Sequence, residues 1–403
     1  MIEKFTFKNY RHLICDNKLE FGQINILIGA NGSGKSKFIE AITFLKDIVT
    51  EGLGYAIAKR DYSEIINKYS SIENPTIKLE WIFNAEKGFD DLQYEINFFL
   101  KRREFFVLSE NLRYEKPKTR DTYKSGFSWV EVNEGKAVFS VWNNQRKKYQ
   151  RISSRINNKD TILHQIDTLI RNYRFARDVS PVFSKVVDDV KEFVSSWQYY
   201  PMAKVNIWEL TEPLRLTGEE DILLPNALNL GDILLAKRNE LHEVIDRVKN
   251  YFGLKELDFK PEVHSNYVSI IPILNKREFL FSSLSEGQIR ILILMTILFL
   301  SKLKVVFIDE PELNLHPSWL YKLRRDFWDS NKQLFIATHS SEILDSFTED
   351  WLLDNNKVKI FVFEQGQIRE LKPNHQIKSY LNEDYQLGDL YRAGEPSIGG
   401  WPY

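Results

Sequence analysis

The chain holds almost no cysteine: Cys15 is the only one in 403 residues. No disulfide can form within it, which suits a reducing cytoplasm. Neither sign of charge is in excess. The formal net charge is −1 at pH 7, so no global field favours nucleic acid or an anionic membrane. The opening Met1-Ile2-Glu3-Lys4-Phe5-Thr6-Phe7 lacks the apolar stretch of a secretory signal. The most apolar segment, Ile289 to Leu300, is interrupted by Arg290 and is too short to cross a bilayer, so it reads as a buried core helix. There is no internal repeat, no low-complexity tract and no long heptad run, which excludes a long coiled-coil arm. These absences describe a soluble, cytoplasmic protein. Its 43% hydrophobic content supports a substantial core in one large domain or two.

What is present starts at residue 29. Gly29-Ala30-Asn31-Gly32-Ser33-Gly34-Lys35-Ser36 follows the apolar run Ile24-Asn25-Ile26-Leu27-Ile28 and precedes apolar residues at helical spacing from Phe38 to Leu45. This is a phosphate-binding loop in the context it requires, a strand feeding a glycine-rich turn that opens a helix. The backbone N–H groups of Asn31, Gly32, Ser33 and Gly34 turn inward as an anion nest. Lys35 reaches the β- and γ-phosphates, and the Ser36 hydroxyl ligates Mg²⁺.

Farther on, the pattern changes twice. From Thr76 to Tyr149, β-branched and aromatic runs such as Ile77–Phe83, Leu92–Phe99 and Ala137–Trp142 predict an antiparallel meander. Helical stretches follow over Thr161–Trp197 and Ile222–Leu254. Two continuous apolar runs then appear, Lys304–Asp309 and Gln333–Thr338, as a parallel sheet covered on both faces demands. Val358–Phe363 and Gln367–Leu371 read as a hairpin turning at Gln365-Gly366.

Three further motifs carry chemistry. The strand at 304–309 ends in Asp309-Glu310-Pro311-Glu312, placing carboxylates at the carboxyl edge of the sheet, where nucleotides bind in α/β folds. Asp309 would hold Mg²⁺ and Glu310 would orient the attacking water. Thr338-His339 ends the next strand, from which the imidazole can reach the γ-phosphate or that water. Ser283-Leu284-Ser285-Glu286-Gly287-Gln288 opens the apolar helix and forms a second anion-binding terminus through Ser285 and Gly287. Two phosphate devices with one set of carboxylates are reconciled by a homodimer that sandwiches ATP between Lys35 of one copy and Ser285 of the other.

Phosphate loop, Leu-Ser-Glu-Gly-Gln signature, Asp-Glu-Pro-Glu and Thr-His, in that order, resemble an ATP-binding-cassette type ATPase. Glu286 replaces the glycine common in that signature. More narrowly, Phe7-Lys8-Asn9-Tyr10-Arg11 and Ile308–Pro317 resemble predicted bacterial AAA ATPases related to RecF, the structural-maintenance-of-chromosomes heads and the overcoming-lysogenization-defect nucleases. Ser196–Tyr200, Leu228–Leu230 and Gly388–Glu395 are looser echoes. The resemblance covers about residues 1–50 and 196–403. It implies an α/β P-loop NTPase head with a mostly parallel core sheet, an antiparallel β-lobe and a helical insertion. Residues 1–75 and 201–403 would form the head, and 76–200 the insertion. It also implies ATP and Mg²⁺ as cofactors, a nucleotide contact from Arg11, signalling across the dimer by Asn314 and His316, and a link from Gln198 to Mg²⁺.

The expected function is an ATP-binding and hydrolysing switch that controls nucleic-acid sensing or a separate nuclease or toxin, in bacterial anti-phage defence. The Lys101–Arg155 region supports the nucleic-acid arm. Residues 101–160 hold fifteen Lys or Arg against seven Asp or Glu. Lys101-Arg102-Arg103, Arg146-Lys147-Lys148, Arg151 and Arg155 are interleaved there with Tyr123, Trp129, Trp142 and Tyr149. A solvated face on a β-lobe with an aromatic core explains the same residues, and an acidic protein partner could use them. The alternatives are a RecF-like DNA-repair ATPase and the nucleotide-binding subunit of a transporter. The transporter reading is disfavoured because roughly 250 residues separate Lys35 from Leu284. A built-in nuclease is disfavoured because 64 residues follow His339. A pseudo-ATPase is disfavoured by Lys35, Asp309, Glu310 and His339.

Overall fold

A computed structural model describes residues 1–15, 18–60, 65, 76–83, 92–101, 104–114, 128–143, 146–172 and 181–399. The chain divides into two interleaved units. The first comprises Met1–Gly22, Asn31–Trp197 and Phe363–Glu370, and the second Gln23–Ala30, Gln198–Val362 and Leu371–Tyr403. The division falls inside the phosphate loop, between Ala30 and Asn31. Among the described residues no helix is long and apolar enough to cross a membrane.

The first unit is built on an eight-stranded antiparallel sheet. Its order is Leu19–Glu20, Ile2–Lys8, Ile77–Phe83, Leu92–Lys101, Glu104–Tyr114, Ser128–Asn133, Lys136–Asn143 and Lys148–Arg155. The first strand of the meander pairs directly with the N-terminal strand, Phe5 opposite Trp81. One face of the sheet is apolar and packs on the helix Lys35–Glu51 that follows the phosphate loop. Phe5 and Phe44 meet Phe38 and Phe98, respectively, at ring-centroid distances of 6.1 and 6.0 Å, and the Trp81 indole N–H donates to the Ile42 carbonyl at 3.2 Å. Helices Ile162–Asn172 and Pro181–Ser195 also belong to this unit.

A buried carboxylate holds one of these helices. Glu110 accepts the Ile162 N–H at 3.0 and 2.8 Å through its two oxygens, and the Tyr94 hydroxyl at 2.8 Å. It thereby satisfies a helix N-terminus that would otherwise carry orphan donors. Burial nevertheless pushes its carboxyl up to about 7, against the opposing pull of those donors. Between its ordinary 4.5 and that value the folded chain binds a proton that the unfolded chain does not. Stability therefore falls as pH rises through this window, by roughly 3 kcal/mol for a shift of this size. Urea unfolding at pH 5 and pH 8 is expected to show this loss, and Glu110→Gln to flatten it.

The second unit contains the parallel sheet. The six strands of that sheet run in the order Trp197–Pro201, Val305–Asp309, Gln333–Ala337, Ile24–Gly29, Val358–Glu364 and Gln367–Glu370. The second to fourth of these pair in parallel, with Asp309, Ala337 and Leu27 in one row. Ile24–Gly29 and Gln333–Ala337 are buried at every residue, which is why they read as unbroken apolar runs. Ile26, Ile28, Val306, Ile308, Leu334 and Ile336 share a core with Leu292, Met295 and Leu298 of the apolar helix. That helix, Glu286–Met295, continues as a π-helical turn over Thr296–Leu300. The helical stretch near 222–254 resolves into Leu230–Ala236 and Leu241–Phe252. Gly231 lies inside the first of these, where a Cβ would come within 2.1 Å of Val268, so the helix approaches its neighbouring strand through a bare backbone. An antiparallel sheet of Leu214–Arg215, Tyr267–Leu274 and Leu257–His264 completes the unit. The hairpin turn falls at Gln365 and Gly366, both at positive φ, as a type I′ turn requires.

Candidate functional site: a phosphate loop and an acidic sheet edge

The strand Ile24–Gly29 ends where φ turns positive at Gly29, and the loop returns to positive φ at Gly32 and Gly34. At Gly32 a Cβ would meet nothing within 4 Å, so glycine is required there by conformation. At Gly34 a Cβ would lie 2.8 Å from Leu13 Cδ2 and 3.4 Å from His12 Nε2, so close packing adds to the requirement. The loop is braced from behind, with the Gly366 N–H donating to the Ser33 carbonyl at 3.3 Å. No side chain caps the helix that starts at Lys35. The dipole of a helix that starts in this way favours an anion at its N-terminus. Ser33 Oγ is buried without a hydrogen-bond partner among the described residues, and Lys35 is only 6% exposed. An uncapped 17-residue helix behind a glycine turn, with an orphan hydroxyl and a buried lysine, fits a phosphate group. Asn31 and Ser36 occupy the remaining loop and first-turn positions. A serine hydroxyl and an aspartate carboxylate are the hard oxygen donors that Mg²⁺ accepts beside phosphate oxygens.

Arg11, expected to contact the nucleotide, is 4% exposed, at positive φ, and pairs with Glu40 of the loop helix at 2.8 Å.

In the second unit, the acidic pair and the histidine leave adjacent strands at the same edge. The Glu310 N–H donates to the Ala337 carbonyl at 2.8 Å, and the Thr338 N–H to the Leu27 carbonyl at 3.0 Å. Hydrogen bonds thus continue one step past the strand row that contains Asp309. Glu310 adopts φ 57, a left-handed conformation rare for a non-glycine residue. Such strain persists only where the surroundings enforce it, and functional edges are where it collects.

Glu312 helps to enforce it. Its Oε1 accepts the His339 N–H at 2.7 Å, which ties the acidic turn to the histidine turn. Burial raises the pKa of this carboxyl, and its second oxygen has no partner among the described residues. The motif Asp-Glu-Pro-Glu contains Glu312, but nothing in the spacing indicated that it would hold the next strand's backbone. The helix after His339 is held in turn by the C-terminal segment. The Gly388 N–H donates to Asp345 at 2.7 Å, and Arg392 reaches Ser341 Oγ at 2.8 Å.

Ser285 caps the apolar helix through a reciprocal box. Its Oγ accepts the Gln288 N–H at 3.3 Å, while the Gln288 side chain accepts the Ser285 N–H at 2.9 Å. Gly287 lies against the acidic loop, where a Cβ would come within 2.7 Å of the Asn314 carbonyl. Glu286, the departure from the common signature, pairs with the buried Arg290 at 2.7 Å. That bond, with a second from Asn314, holds its carboxyl below the usual range. Arg290 also donates to the Met202 carbonyl at 2.7 Å. His316 caps the helix Pro317–Asp329, its Nδ1 accepting the Ser318 N–H at 3.2 Å. Asn314 takes a left-handed conformation beside it.

Gln198 is half-buried on the strand Trp197–Pro201, and the hydroxyl of Tyr199 beside it donates to Asp309 Oδ2 at 2.8 Å. No motif points to Tyr199. Of the basic region, Arg102, Arg103 and Tyr123 lie outside the described residues, and only the backbone of Lys101 and Trp142 is described. Arg146, Lys147, Lys148, Arg151 and Arg155 are exposed on and beside the strand Lys148–Arg155, with Arg151 paired to Glu131. Trp129 is a buried core residue packed edge-on to Tyr149. The aromatics described here thus serve the lobe's core, while the cations face outward.

A family model described as "AAA domain, putative AbiEii toxin, Type IV TA system" matches residues 24–345. No curated protein sequence matches. Among solved structures, an Smc head bound to the C-winged helix domain of ScpA is similar at TM-score 0.50 and 14% identity, over 92% of this chain and 98% of that one. The SMC head domain of Thermotoga maritima gives TM-score 0.44 at 12% identity, over 93% and 99%. The Pyrococcus furiosus Smc head with an extended coiled coil, bound to the C-terminal domain of ScpA, gives TM-score 0.44 at 12% identity, over 95% and 98%. The first of these resemblances shows the fold alone.

Proposed function

We propose, from the premise that this chain belongs to the AAA_21 family of AAA ATPases, that it is a switch in which ATP joins two copies and hydrolysis separates them. Asn31, Gly32, Ser33, Gly34 and Lys35 bind the phosphates. Ser36 and Asp309 hold Mg²⁺, which neutralises phosphate charge when bound. Glu310 orients the attacking water and accepts its proton, and His339 hydrogen-bonds the γ-phosphate. Ser285 and Gly287 of a second copy close the site from the other side. Ser285 Oγ accepts within its own chain and keeps its hydroxyl proton to donate to a phosphate.

One observation carries this reading. Asp309, Glu310 and His339 emerge at one edge of parallel strands whose neighbour, Ile24–Gly29, feeds the phosphate loop. Nucleotide chemistry in open α/β sheets is built at that edge. A composite site makes the hydrolysis rate per subunit depend on protein concentration. That rate is expected to rise about linearly at low concentration and then level off, as a dimer fills by mass action. A rate per subunit independent of concentration from nanomolar to micromolar, with the protein monomeric throughout, would contradict the sandwich.

The output we assign to the switch is control of a separate nuclease or toxin, or of nucleic acid engaged by the exposed cations at 146–155, in anti-phage defence. The family description, with its toxin–antitoxin association, favours the effector arm. The outward-facing Arg146, Lys147, Lys148 and Arg155 favour the nucleic-acid arm. RecF-like repair would use the same ATP cycle.

A further inference from the structure

We propose that Glu312 is a positioning residue for hydrolysis, holding the main chain of the histidine turn so that His339 keeps its place beside Glu310. This rests on reading Glu310 as the base and His339 as a contact of the γ-phosphate.

A strand that runs off the edge of its sheet loses its neighbours, and each main-chain N–H beyond that edge needs another acceptor. The segment after the strand Gln333–Ala337 meets this need residue by residue. The Thr338 N–H donates to the Leu27 carbonyl at 3.0 Å, and the Ser340 N–H to Thr338 Oγ1 at 2.9 Å. Between them, the His339 N–H donates to Glu312 Oε1 at 2.7 Å. Of these three bonds, it is the one that comes from the acidic turn. It uses the main chain, so it sets where the imidazole starts, whatever the ring itself touches.

The acidic turn reaches the same segment a first time through the Glu310 N–H, which donates to the Ala337 carbonyl at 2.8 Å. A single bond there would act as a pivot. The bond from Glu312, two residues farther along, keeps the histidine turn from swinging about it. Glu312 is itself well placed to do so. Pro311 restricts the backbone before it, and the Leu313 and Leu315 N–H groups donate to the Glu310 and Glu312 carbonyls at 3.2 and 3.0 Å. Glu310 and His339 thus sit on two turns joined at two points. Keeping a carboxyl here has a cost, because burial raises its pKa and Oε2 has no partner among the described residues. An apolar side chain of the same length would avoid that cost but would supply no acceptor to the His339 N–H.

The test is single-turnover hydrolysis beside equilibrium ATP binding in the full chain, with Glu312 and His339 varied singly and together as a double-mutant cycle. Glu312→Met keeps the volume and removes the acceptor, whereas Glu312→Gln keeps an accepting oxygen and removes the ionisable group. A group misplaced by about 1 Å can cost on the order of 100-fold in rate. Glu312→Met is therefore expected to lower the rate about 10-fold or more with ATP affinity nearly unchanged, and Glu312→Gln to hydrolyse near the wild-type rate. His339→Ala should itself be slow, and adding Glu312→Met to it should cause no further loss, because no imidazole is left to place. A wild-type rate for Glu312→Met, or its full loss repeated on top of a slow His339→Ala, would overturn this inference while sparing the reading of His339. A wild-type rate for His339→Ala would overturn that reading beneath it. Glu312→Gln as slow as Glu312→Met would show that the charge, not the hydrogen bond, is what counts, and would overturn the positioning role.

Discussion

Glu310→Gln is expected to lower the ATP hydrolysis rate by at least about 100-fold while leaving ATP affinity nearly unchanged. A positioned general base contributes roughly 10²–10⁴ to a rate, and an amide can neither take the water's proton nor supply negative charge. The substitution changes no volume. The backbone bond from Glu310 N–H to Ala337 and the turn's left-handed conformation are made by main-chain atoms, so they survive the change. Binding to the phosphate loop, which depends on Lys35 and the helix N-terminus, should persist. Single-turnover hydrolysis measured beside equilibrium binding of a fluorescent ATP analogue separates the two effects. A loss of affinity as large as the loss of rate would place Glu310 in ground-state binding instead.

The second large effect comes from mixing two inactive variants. Lys35→Ala removes the buried lysine of the phosphate loop, and Ser285→Arg fills the helix terminus with a cation and a long side chain. Each protein alone should hydrolyse ATP at the background rate, because every site in its dimer carries a defect. An equal mixture forms heterodimers in which one site combines both defects and the other has none. Recovery to about a quarter of wild-type activity is expected, since half the dimers are mixed and each has one sound site of two. A site contained within one chain would show no recovery at any ratio.

Much of this was legible in the amino-acid order. The phosphate loop, the strand ending at Asp309 and the strand ending before His339 are continuous apolar runs that terminate in reactive side chains. That combination arises because a parallel sheet is buried on both faces and does its chemistry at one edge. The turn at Gln365-Gly366 was legible for an equally local reason. Long-range pairings were less so. The N-terminal strand Ile2–Lys8 is an internal strand of the antiparallel sheet, joined to Ile77–Phe83 across some seventy residues, so the β-rich segment could not be recognised as its continuation. Arg11 looks like a loop arginine until Glu40, a helix away, claims it. Tyr199 and Glu312 act on residues 110 and 27 positions distant, and neither contact has a periodic signature. Glu110 would be taken for an ordinary strand carboxylate, although 52 residues on it closes a helix terminus. Local physics was written in spacing; contacts between distant segments depended on the fold.

In the proposed switch, ATP joins two copies of this chain. Light scattering on Glu310→Gln with ATP and Mg²⁺, beside the same protein without nucleotide, addresses it directly. A shift from the 47.6 kDa monomer to twice that mass is expected, reversed when Ser285→Arg is added to the same chain. A mass that stays at 47.6 kDa while ATP is demonstrably bound would contradict it.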